Sequence, residues 1–117
     1  MLLYAPYFSP QNNWSKQFSF VPEGADFFLP APADSEAFYS SLMDFATDGR
    51  GMVGYENDFM SCLAMTDTFR STVGAGRQWL VGQSKAAQAR GIGVQYCMTF
   101  PSQVLASVEA PMVTNGR

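Results

Sequence analysis

Apolar residues recur along this chain with two periods, and the periods alternate. Phe18 and Phe20 share one face of Gln17–Val21, as in a half-buried strand. After the connector at residues 30–34, Phe38, Leu42 and Phe45 fall at i, i+4 and i+7 and predict a helix. Asp34 or Ser35 suits its N-cap, and Glu36 suits the positive helix start. Gly49 and Gly51 give the stop signal. The short apolar run Met52–Tyr55 then predicts a buried strand, Met52–Glu56. Residues 59–74 form a longer connection of mixed character. Leu80, Gln83, Ala87 and Arg90 step along a second helix, about Ala75–Arg90, with Gly91 as its C′ residue. Ile92–Met98 is the next buried strand. A short third helix begins near Pro101, a residue favoured in a first turn, and runs to about Val108. Pro111–Asn115 reads as one further strand.

Residues 1–29 differ from this pattern. They are rich in aromatic and turn residues, with a strand expected in Met1–Phe8 despite Pro6. A loop is expected at Ser9–Asn13, a turn at Pro22–Gly24 and a short apolar run at Asp26–Leu29. From there on, strands and helices alternate, which implies parallel strands joined by right-handed helical crossovers. The expected fold class is α/β. Residues 1–117 form a single partial domain, about the first half of a (β/α)8 TIM barrel, with 1–29 preceding its βα units. Gly74 and Gly76 precede a helix but lack the rest of a dinucleotide or phosphate-loop pattern. No nucleotide cofactor is expected.

Composition removes several classes of function. The net charge is −3 with 7 Lys plus Arg and no basic run, so nucleic acid is not an expected partner. No apolar stretch reaches the ~18 residues of a membrane span. The N-terminus lacks a basic region before its apolar residues and does not look like a secretory signal, so a cytoplasmic location is the default. Without a secretory route, the Asn13-Trp14-Ser15 triplet is not expected to carry a glycan. The chain has 2 cysteines, Cys62 and Cys97, expected as reduced thiols. It has no His, which removes Ser-His and Cys-His catalysis and most zinc sites. Acid–base chemistry therefore falls to carboxylates, Tyr, Lys or Cys.

The candidate chemistry sits at strand ends. Met52–Glu56 terminates in Glu56 and Asp58 flanking Asn57. Side chains alternate along a strand, so Glu56 and Asp58 share a face, with Cα atoms ~7 Å apart at a rise of about 3.3 Å per residue. Gln95 and Cys97 hold the same spacing at the next strand end, and Asn115 and Arg117 at the one after. Polar residues at successive strand C-termini converge on one rim of a barrel. Glu56 and Asp58 are the candidate catalytic pair. Asn57, Gln95, Cys97, Asn115 and Arg117 are candidate substrate contacts. The spacing of Tyr55, Trp79 and Tyr96 fits burial in the core instead.

The segments 56–60, 91–98 and 113–117 resemble a set of TIM-barrel glycoside-hydrolase-like proteins distantly similar to α-galactosidase-type enzymes. The resemblance covers about residues 26–117. It implies an eight-stranded barrel with acids at the strand C-termini. Asp58 would be a rim carboxylate, Glu56 its partner, Gln95 a sugar-hydroxyl contact and Arg117 part of the rim. Two departures stand out. A full barrel runs to about 250 residues. Enzymes of the α-galactosidase type carry an Asp nucleophile on the strand equivalent to Ile92–Met98, where this chain has Gln95 and Cys97.

Three functional classes follow. The leading one is a carbohydrate-active glycoside hydrolase, or a fragment of one, acting through Asp58 and Glu56 without metal or cofactor. The alternative is a non-catalytic half-barrel that pairs with itself or with another chain to cover its open edges. The third is a Mg²⁺- or Ca²⁺-dependent lyase or hydrolase using Glu56, Asp58 and Asn115.

Overall fold

The structure, a computed structural model, describes residues 1–22, 27–63 and 66–117. Residues 23–24 of the expected turn at Pro22–Gly24 and the start of the Asp26–Leu29 run lie outside these residues.

Four short strands form a parallel sheet: β1 Leu2–Tyr4, β4 Gly54–Asn57, β5 Gly93–Tyr96 and β6 Val113–Gly116, lying side by side in that order. Two others, β2 Phe20–Pro22 and β3 Phe28–Pro30, pair antiparallel as a separate ribbon. The fold is therefore mixed α/β with parallel strands and helical crossovers. The sheet order follows the chain, without the reversal of a doubly wound sheet.

β1 is shorter than Met1–Phe8 suggests, because Pro6 has no N–H to give to a ladder. The Gln17–Val21 strand likewise shrinks to Phe20–Pro22, behind a 3₁₀ turn at Asn13–Lys16. That turn leaves Asn13 exposed.

The first predicted helix is α1, Ser35–Thr47. Asp34 precedes it, but its carboxylate accepts from Ser19 N–H at 2.6 Å and makes no cap bond to the helix. The mixed connection holds two short helices, α2 Met60–Leu63 and α3 Asp67–Ser71. The second predicted helix is α4, Ala75–Gln88, and the third is α5, Pro101–Ala106, followed by a 3₁₀ turn through Glu109.

α1 and α4 cover one face of the sheet. Tyr39 of α1 stacks edge-on against Tyr55 of β4 and Trp79 of α4, at 5.6 and 5.5 Å between ring centroids. Tyr55, Trp79 and Tyr96 are core residues, as their spacing predicts. Aromatic side chains of the N-terminal region, Phe8, Trp14, Phe18 and Phe20, surround Phe38. Phe45 departs from the predicted apolar face and is 52% exposed. The buried stripe of α1 centres on Tyr39, Leu42, Met43 and Ala46, which leaves Phe45 at its edge, beneath the Arg50 guanidinium 4.0 Å away.

α1 and α4 approach closely at Gly82. A Cβ there would stand 2.8 Å from Glu36 N and 2.9 Å from the Ser35 side chain, so only glycine fits without displacement. Ser35 Oγ donates to Trp79 O at 2.6 Å in the same contact. Further along, Arg90 makes a two-pronged pair with Asp44, at 2.6 and 2.7 Å.

Candidate functional site

Strand alternation splits β4 between two surroundings. Tyr55 and Asn57 point into the helix-covered core, while Glu56 and Asp58 point to the opposite face. That face is open to solvent where Leu2 and Tyr4 stand 51% and 49% exposed. Parallel register carries the pattern across the sheet: Tyr4 pairs with Glu56, Glu56 with Gln95, and Gln95 with Asn115. An irregularity between Val94 and Gln95 sets Asn115, rather than Thr114, opposite Gln95. One residue past each strand end lies a second row of Asp58, Cys97 and Arg117.

These rows make a hydrogen-bonded cluster. Arg117 Nη2 donates to Glu56 Oε1 at 3.0 Å, and Gln95 Nε2 donates to the same oxygen at 3.4 Å. Tyr4 Oη donates to Asp58 Oδ2 at 3.1 Å. The backbone N–H of Phe59 donates to Asp58 Oδ1 at 2.7 Å. The Cys97 sulfur lies within 4.8 Å of an Asp58 oxygen, and this thiol is the main reason the carboxyl is held below the usual range, with Phe59 N–H, Tyr4 and the Arg117 charge adding to that effect. Partial burial opposes the shift without cancelling it. Reciprocally, the Asp58 bond pushes the Cys97 thiol up, and Arg117 offsets part of that rise. The Tyr4 phenol is raised first by removal from water and then by Asp58.

The backbone beneath the cluster repeats. Phe59 follows Asp58 with φ 53°, and Met98 follows Cys97 with φ 55°. These are the two non-glycine residues with positive φ among those described. Both are bulky side chains in a conformation that costs energy unless the surroundings impose it. Met60 N–H donates to Cys97 O at 3.2 Å and Ser61 N–H to Met98 O at 2.7 Å, tying the two turns together.

Five of the seven predicted site residues thus meet: Glu56, Asp58, Gln95, Cys97 and Arg117. Asn115 takes its register place beside Gln95 but is exposed, with its side chain in none of the bonds of the cluster. Asn57 does not belong to the site. Its side chain is buried on the helix side and donates from Nδ2 to Gln83 Oε1 of α4 at 3.3 Å. The cause is the two-residue period, which sends residue 57 away from 56 and 58.

Tyr4 is the member that sequence reasoning missed. Its signal was the Met1–Phe8 strand itself. Once that strand lies parallel to Gly54–Asn57, its last residue stands beside Glu56.

One oxygen each from Glu56 and Asp58 and the Cys97 sulfur lie within 4.8 Å of one another, a spacing that suits a metal ion. The Arg117 guanidinium already bonds Glu56 Oε1, so a cation at that oxygen would have to displace it. Asn115 is not part of this group. Both cysteines are free thiols. No helix among the described residues is long and apolar enough to cross a membrane. Comparisons with models of known protein families, with curated proteins and with solved structures find no match to this chain.

Proposed function

We propose that the chain is a (β/α)8-barrel glycoside hydrolase, or a fragment of one, and that its site is the carboxylate cluster at the C-terminal edge of the parallel sheet. The observation that carries this reading is the convergence of Glu56 and Asp58 with Gln95 and Arg117 at the C-terminal edge of four sequentially ordered parallel strands. Enzymes built on parallel βα units do their chemistry at that edge. Two carboxylates on one face can share one sugar ring, where positive charge develops as the glycosidic bond breaks. Asp58, held ionised by its donors, suits the stabilisation of that charge. Gln95 and Arg117 supply donors for hydroxyl oxygens. The test is hydrolysis of aryl glycosides by the full gene product. Asp58→Asn and Glu56→Gln should each lower turnover by at least ~100-fold with the circular dichroism spectrum unchanged. Retained turnover in both would reject the reading.

A second reading rests on the sheet edges. β1 pairs only with β4, and β6 only with β5, so each has one unpaired side among the described residues. Such edges accept further strands, and a non-catalytic module that pairs with itself or another chain would use them. Sedimentation showing a stable dimer with no turnover would favour this reading over hydrolysis.

A further inference from the structure

We infer that the two carboxylates divide their work: Glu56 is the catalytic residue that meets the substrate, through Oε2, and Asp58 is a fixed anion positioned by Tyr4 and Cys97. This assignment rests on the carbohydrate reading above, and it follows from where each oxygen's hydrogen bonds go. Asp58 has both oxygens engaged, Oδ1 by Phe59 N–H and Oδ2 by Tyr4 Oη, with the Cys97 thiol beside it within 4.8 Å. A substrate hydroxyl at either Asp58 oxygen would have to compete with the donor already there, and a displaced donor would be left without its partner. Glu56 is different. Both of its bonds, from Arg117 and Gln95, reach Oε1. Among the described residues no hydrogen bond reaches Oε2. The Glu56 side chain is 12% exposed, on the open face of the sheet. It is clamped at one oxygen and available at the other, the arrangement of a group aimed at a ligand.

Tyr4 is the cross-strand part of this device. It comes from β1, in register with Glu56, yet reaches past it to the next carboxylate. Cys97 approaches Asp58 from the other side, from the end of β5. Asp58 is thus held between its two neighbouring strands. The charged and titratable groups facing it are Tyr4, Glu56, Cys97 and Arg117.

The test is carboxyl-carbon NMR of the whole protein labelled at Asp and Glu side chains. In Tyr4→Phe and in Cys97→Ala the Asp58 titration should move upward, because each change removes a donor to the ionised form. An unmoved Asp58 in both variants would overturn the positioning role. Methyl galactoside and methyl glucoside, added to the wild-type protein, should shift the Glu56 resonance and leave that of Asp58. A shift at Asp58 alone would reverse the assignment. No shift at either residue would overturn the substrate contact together with the carbohydrate reading, while the titrations would still decide separately whether Tyr4 and Cys97 anchor Asp58.

Discussion

The two faces of one four-stranded sheet obey different rules. On the helix-covered face, Tyr55, Val94 and Tyr96 are buried side chains chosen by volume, packed beneath Tyr39 and Trp79. Of its polar groups, Asn57 finds Gln83, while Trp79 Nε1, Gln83 Nε2, Ser84 Oγ and Tyr96 Oη have no hydrogen-bond partner among the described residues. On the open face, Glu56, Asp58, Gln95, Cys97 and Arg117 are held by charge and hydrogen bonds and partly by solvent. The strands contribute alternate residues to each face. A single-residue shift in register would exchange core and site, so burial of one face fixes the placement of the other.

This contrast predicts a graded set of outcomes. The largest loss of stability should come from the covered face. Trp79→Ala removes a fully buried ring and should cost about 3–5 kcal/mol in urea unfolding. A cost below ~1 kcal/mol would show that α4 does not pack as described. Gly82→Ala comes next, since the added methyl meets Glu36 N and Ser35. Overpacking of this kind costs roughly 1–3 kcal/mol. Asn57→Ala should cost a similar ~1–3 kcal/mol, because it leaves the buried Gln83 carbonyl without its donor. The same substitution should leave any turnover nearly unchanged, since Asn57 faces away from Glu56 and Asp58. A selective loss of turnover with stability intact would break the division between the faces.

Open-face substitutions should move stability least. Glu56→Gln keeps the side chain's volume and an Oε1 acceptor for Arg117 and Gln95, and should change unfolding by about 1 kcal/mol, the net range of a single hydrogen bond. The smallest effect is a pH dependence. The Asp58 carboxyl is held below its usual range, chiefly by the Cys97 thiol. A carboxyl depressed by folding adds stability above its unfolded pKa, and that stability fades as pH falls through the folded value. Asp58→Asn should therefore flatten the acid limb of the Tm–pH curve below about pH 4, the unperturbed Asp range. An unchanged limb would show that the cluster does not hold Asp58. Asp44, depressed by its Arg90 pair, contributes to the same limb in the same direction and should persist in that variant.

Much of this was legible from residue order. Helices α1 and α4 were visible because their apolar positions recur at helical spacing and end at Gly49 and Gly91, both with positive φ. The strand-end pairs Glu56/Asp58, Gln95/Cys97 and Arg117 were visible because a two-residue period needs no knowledge of neighbours. Three things were not. Phe45 follows the helical period, yet the helix turns it to the edge of the contact. Asn57 is polar and sits between two acids, so its type suggests the site while its parity denies it. Tyr4 lies 52 residues before Glu56 in register, a pairing that no local pattern encodes.

The sequence by itself determined the α/β alternation, the acids at the strand ends and the absence of histidine chemistry, because spacing and composition are local properties of the chain. Only the tertiary structure decided which carboxylate has a donor on both oxygens and which keeps one open. That difference depends on Tyr4, Cys97, Gln95 and Arg117 arriving from other strands, and hydrogen-bond partners so distant in sequence are set by packing and register.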